Sequence, residues 1–113
     1  MNRSELPASP LEVIKRRCVE RKILWTYHVN MRMREKHISR TEVFEAIDSF
    51  EIIEAYPDDK YLPSYLVFAN SRGQVFHILF AVDMVEDNAR VVTAYRPGPN
   101  EWEADLRTRK KTI

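Results

Sequence analysis

The chain of 113 residues is short of cysteine, glycine and long apolar runs, and each shortage excludes something. Its single thiol, Cys18, permits no intrachain disulfide and no cysteine-based metal centre. Two glycines, Gly73 and Gly98, are too few for a loop that cradles phosphates. No apolar stretch approaches the roughly 18 residues of a membrane span. Residues 1–7 lack the apolar segment of a signal peptide. We therefore expect a cytoplasmic protein that makes no membrane contact. The histidines, His28, His37 and His77, show no tight spacing, and no carboxylates cluster with them. Neither a metal nor another cofactor is expected.

Charge is plentiful and unevenly spread. Residues 1–47 hold 10 Lys/Arg against 6 Asp/Glu, residues 48–88 hold 2 against 8, and residues 89–113 hold 6 against 3. Two basic ends flank an acidic middle, a pattern that suits either a polyanion-binding face or an ordinary solvated surface. The length fits one domain able to bury its own core. We expect a flexible lead-in over residues 1–9, a single α+β domain over 10–106, and a mobile basic tail over 107–113.

Periodicity places the elements. Ser9-Pro10-Leu11-Glu12 reads as a capping box opening a helix over about 10–22, with Leu11, Ile14 and Cys18 on its apolar stripe. A short apolar link, Ile23-Leu24-Trp25, permits a brief strand. Thr26 reads as the N-cap of a second helix over about 27–36, with Met31 facing the core. Ser39-Arg40-Thr41-Glu42 opens a third over about 40–49. The period then changes to extended. Strands are expected over 52–56, 64–69, 74–82 and 90–95, with Gly73 in the tightest turn. Two to three N-terminal helices packed on one four-stranded antiparallel sheet follow from this order. The strands carry apolar residues at both parities, so the second sheet face is only partly wet or is covered by a partner or ligand. Trp102 is expected to pack back on the domain.

His28 and Arg32 fall one turn apart on the second helix. One can move protons near neutrality, and the other is a fixed cation suited to phosphate. RNA carries its own nucleophile, the 2′-OH, so a metal-free site needs only a base, an acid and cations for the phosphate. His28 can serve as base or acid and Arg32 can hold phosphate. His77 is a second proton donor if it faces the same cleft. Thr93, Tyr95 and Arg96 on the last strand can bond phosphate or stack on a base. Structural roles compete with each of these: His28 can simply cap or pack, and His77 can be a core histidine bonded to backbone. Whether His77 and Thr93 share a face depends on the register across the turn at 84–89.

The chain resembles the bacterial "domain of unknown function 4258" family. Thr26-x-His28-x-x-x-Arg32-Met33-x-Glu35, Ile38-Ser39, Val43, Phe76-His77-Ile78-Leu79, Val92-Thr93-Ala94-Tyr95-Arg96-Pro97 and Trp102 carry the resemblance. It covers residues 23–107. The resemblance implies a fold similar to the RelE/barnase-like small nucleases. It also implies an antitoxin partner with a zinc finger and a helix-turn-helix, as in MqsR-type toxin–antitoxin pairs. An mRNA-cleaving toxin follows, with catalytic roles for His28, Arg32, Thr93 and Tyr95. A non-catalytic module binding RNA or protein is the alternative. One departure is Lys36-His37, where many members carry Arg-Gly.

Overall fold

The computed structural model describes residues 6–111. Three helices precede the main strands: α1 (Pro10–Val19), α2 (Tyr27–Glu35) and α3 (Arg40–Glu45), the last running into a 3-10 turn at Ile47–Ser49. A short strand, β1 (Ile23–Trp25), lies between α1 and α2. Then come β2 (Glu51–Tyr56), β3 (Ser64–Ser71), β4 (Gln74–Asp83) and β5 (Asn88–Tyr95). The architecture is α+β, but the sheet has five strands in the order β1-β5-β4-β3-β2, and β1 pairs parallel to β5. This corrects the expected four-stranded antiparallel sheet. Among the described residues no helix is long and apolar enough to cross a membrane.

Local chemistry explains the helix ends. The Thr26 side chain accepts the Val29 amide at 3.0 Å, and Ser39 accepts that of Glu42 at 3.0 Å. Ser9 makes no side-chain cap bond; at φ −132° and ψ 80° it lacks the extended geometry of a capping residue. Helix α1 stops at Val19, three residues short of expectation, where Lys22 N–H returns to the Arg17 carbonyl at 2.8 Å. Helix α2 closes the same way. Ile38 N–H reaches the Met33 carbonyl at 2.8 Å, with His37 in the left-handed region at φ 57°. A non-glycine residue is strained there, whereas glycine adopts it freely. His37→Gly should therefore stabilise the fold by about 0.5–1 kcal/mol, seen as a higher urea midpoint at unchanged slope.

One core lies between the helices and the sheet. Ile14 and Cys18 of α1, Val29 and Met33 of α2, Ile38 and Val43 pack on Val67, Phe76, Ile78, Phe80, Val82, Val91 and Ala94. Met31, expected inside, is exposed. It lies about 200° round the helix from Val29, while Met33 is only about 40° away. Burial pushes the Cys18 thiol up to about 12, so it is an inert core residue.

The opposite sheet face is covered by the chain itself. After β5, residues 97–101 lead into a small antiparallel ribbon in which Trp102 bridges Arg109. Glu103 N–H donates to the Thr108 carbonyl and Lys110 N–H to the Glu101 carbonyl, both at 2.8 Å. The ribbon lies over this face. Arg107 pairs with Glu51 at 3.0 Å and stacks on Phe68 at 3.9 Å. Arg109 makes a two-point bond to Glu54 at 3.0 Å and covers Trp102 at 4.5 Å. The basic run is thus partly neutralised by the acidic strand β2, and a boundary at residue 106 cuts through the ribbon. Residues 112–113 of the expected tail and 1–5 of the expected lead-in lie outside the described residues.

Candidate functional site

The register across β4 and β5 decides which predicted residues meet. His77 pairs with Tyr95 and Leu79 with Thr93. His77, Thr93 and Tyr95 therefore share one face, the one turned away from the helices. Ala94 and Val91 on the alternate positions enter the helical core. The ladder slips between Leu79 and Phe80, leaving Val92 as an extra residue in a bulge.

His77 is wholly buried beneath the C-terminal ribbon. Its Nε2 lies 2.7 Å from the Leu106 carbonyl, which can only accept, so Nε2 carries the proton. In the neutral ring Nδ1 then accepts from the Tyr95 hydroxyl at 3.2 Å. Trp102 meets the ring edge-on at 4.4 Å between centroids. Burial lowers the His77 pKa below its ordinary 6.5, the Leu106 bond opposing only in part. Burial also pushes the Tyr95 hydroxyl up to about 12. The stability due to neutral His77 is present above pH 6.5 and is lost as pH falls through its lowered folded value. That due to Tyr95 is present below pH 10 and is lost as pH rises towards about 12. A melting-temperature profile should fall on both sides, and His77→Gln should flatten its acid limb.

Arg96 is also engaged within the fold. Its guanidinium bonds Glu42 at 3.0 and 3.3 Å and the His37 carbonyl at 2.7 Å, tying the end of β5 to the turn between α2 and α3. The Glu42 carboxylate therefore serves Arg96.

His28 and Arg32, by contrast, are exposed, and their side chains make no hydrogen bond or ion pair among the described residues. They occupy one flank of α2. Asn30, about 200° round the helix from each, bonds Arg40 of α3 at 2.9 Å. The His28–Arg32 flank is thus turned away from α3. Helix α2 packs against β5, but no hydrogen bond or ion pair joins the side chains of this pair to Thr93 or Tyr95 among the described residues.

Depressions adjoin α2 among the described residues. A shallow groove of about 700 Å³ on the α3 side is lined by Tyr27, Asn30, Arg34, His37 and Arg40, among others. A smaller pocket of about 340 Å³ opens where α2 begins, on the far face of β4 and β5. Thr26, Asp59, Tyr61, Arg90 and Val92 contribute to its walls. None of His28, Arg32, Thr93 and Tyr95 is among the residues that line this pocket. Arg90 and Val92 were missed because the bulge that aims them is invisible in the alternation. Asp59 and Tyr61 were missed because they lie in the loop between β2 and β3, where no periodicity assigns a side chain to a face. Among the described residues no three His, Cys, Asp or Glu side chains gather as a metal site.

No curated protein and no solved structure matches the chain. The family model described as "Domain of unknown function (DUF4258)" matches residues 25–96, a span that runs from the end of β1 through β5 and takes in α2, α3 and the small pocket. The chain therefore belongs to the DUF4258 family.

Proposed function

We propose that this protein is a small cytoplasmic endoribonuclease of toxin type, with a RelE/barnase-like fold, that cleaves RNA through the 2′-OH without a metal. One observation carries the reading. The start of α2 meets the far face of β5 in a pocket, and α2 presents His28 and Arg32 to solvent with no acidic partner among the described residues. His28 takes the 2′-OH proton or gives a proton to the leaving 5′-oxygen, with solvent water making the other transfer. Arg32 holds the phosphate, and Arg90 adds a second cation. Thr93, on the pocket's face of β5, donates a hydrogen bond. Tyr95 and His77 support the sheet under the ribbon and Arg96 holds the α2–α3 turn, so none of these three touches substrate. The proposed neutralising partner is an antitoxin of zinc-finger and helix-turn-helix type.

A second reading keeps the same surface as a non-catalytic RNA- or protein-binding module. It is favoured by the interior engagement of His77 and Tyr95, which leaves His28 without a second acid–base group from that pair. Expression separates the two. The endoribonuclease should arrest growth when produced alone, and His28→Ala should relieve the arrest at equal protein level. Arrest that persists in His28→Ala would rule out the catalytic role of His28.

A further inference from the structure

The geometry points to the pocket between the start of α2 and the far face of β5 as a subsite for one guanine nucleotide of an RNA strand. Its phosphate sits at Arg90, and its base lies between Tyr61 and the aliphatic wall. This rests on the RNA-directed reading above and deepens it.

A volume of about 340 Å³ falls at the lower end of small-ligand pockets, suited to one nucleotide. Leu62, Ala81, Val91 and Val92 supply an apolar wall. Tyr61, 75% exposed on the rim, is a large aromatic side chain held in water, where stacking on a base would shelter it. Arg90 is a fixed cation. Its Nη2 bonds Asp83 at 3.1 Å, and Asp83 is fully buried with its other oxygen holding the Val85 and Glu86 amides. The Arg90 Nε is buried with no partner among the described residues. Asp83 fixes the guanidinium while the Arg90 side chain stays 41% exposed, so its outward edge, not the buried Nε, is pre-organised for an anion. The first-turn amides of α2 add positive potential beside Thr26.

Asp59 gives the base preference. Its two oxygens each accept one bond, from Ser64 Oγ at 2.6 Å and from Lys60 N–H at 3.0 Å. Each oxygen keeps a free lone pair. The Ser64 hydroxyl and Lys60 amide also hold the carboxyl below its usual range, so it stays an acceptor at neutral pH. Paired acceptors match the two N–H donors on the guanine edge, whereas adenine would present an acceptor to a carboxylate.

The test uses the full chain and nuclear magnetic resonance titration with guanosine monophosphate, adenosine monophosphate, inorganic phosphate and a short oligoribonucleotide containing one guanine. Guanosine monophosphate should shift the Thr26, Tyr61, Arg90 and Val92 signals and bind about tenfold tighter than the adenosine compound. Tyr61→Ala should weaken it roughly tenfold without changing the melting temperature. Asp59→Asn should remove the base preference. The oligonucleotide should bind tighter than the mononucleotide, because only a strand reaches the α2 cations. No shifts at millimolar guanosine monophosphate, or unchanged affinity in Tyr61→Ala, would overturn the subsite. An oligonucleotide no tighter than the mononucleotide would overturn its assignment to RNA. Cleavage without nucleotide binding here refutes the subsite alone; binding without cleavage refutes the nuclease reading alone.

Discussion

Trp102→Ala is expected to destabilise the protein by about 3–5 kcal/mol, the cost of truncating a large buried aromatic. Trp102 is 2% exposed and sits in the ribbon that covers the far sheet face. Its removal deletes the edge-on contact with His77 and the surface on which Arg109 lies. The cavity would open next to a neutral, hydrogen-bonded histidine whose Leu106 partner belongs to the same ribbon. Water entry there would let His77 charge more easily and remove part of the acid penalty that burial imposes on the wild type, so the loss should shrink below pH 6.5. Thermal unfolding should show a melting temperature lower by roughly 10–25 °C. A loss below about 1 kcal/mol, the range of ordinary substitutions, would mean that the ribbon does not seal the face.

His28→Ala is expected to lower RNA cleavage by about 10²–10⁴-fold, the range for removal of a general acid or base. The change should leave stability within about 0.5 kcal/mol of wild type, because the side chain is exposed and supports no packing. This combination separates chemistry from folding. His77→Gln serves as the contrasting variant: it should change the pH dependence of stability, and through folding alone should it touch cleavage.

Much of the helical half was legible in the sequence. Thr26 and Ser39 announced the starts of α2 and α3 because capping is a local interaction that depends on a few adjacent residues. The Arg72–Gly73 turn, with φ of 53° and 84°, was legible at Gly73 for the same reason. The two-faced apolar pattern of β3 and β4 pointed to a second face that is partly wet or covered by a partner or ligand, and the chain's own ribbon lies over it. What covers it was not legible. The ribbon 102–109 shows no alternation, and its hold on the sheet comes from Arg107 and Arg109 meeting Glu51 and Glu54 more than fifty positions away. The parallel pairing of β1 with β5 escaped for a similar reason. Three residues carry too little pattern to announce a partner more than sixty positions distant.

The site was legible in part. His28 and Arg32 share a flank because helical spacing alone dictates it. That Thr93 faces with His77 and Tyr95 depends on where the β5 bulge falls, and a single extra residue is silent in composition. Arg96 read as a phosphate ligand from its place after β5, yet Glu42, assigned to a cap, holds it. The uneven charge also resolves here. Part of the basic C-terminal segment and the acidic strand β2 answer each other, while the α2 cations Arg32 and Arg34 stay exposed.

The most direct test is the chemistry of the RNA ends. The purified protein should cut RNA in the presence of EDTA and leave 2′,3′-cyclic phosphate and 5′-hydroxyl termini, as attack by the 2′-OH requires. His28→Ala should cut the RNA at least about a hundredfold more slowly. Equal cleavage by wild type and His28→Ala, or cleavage that EDTA abolishes, would contradict a metal-free site built on α2.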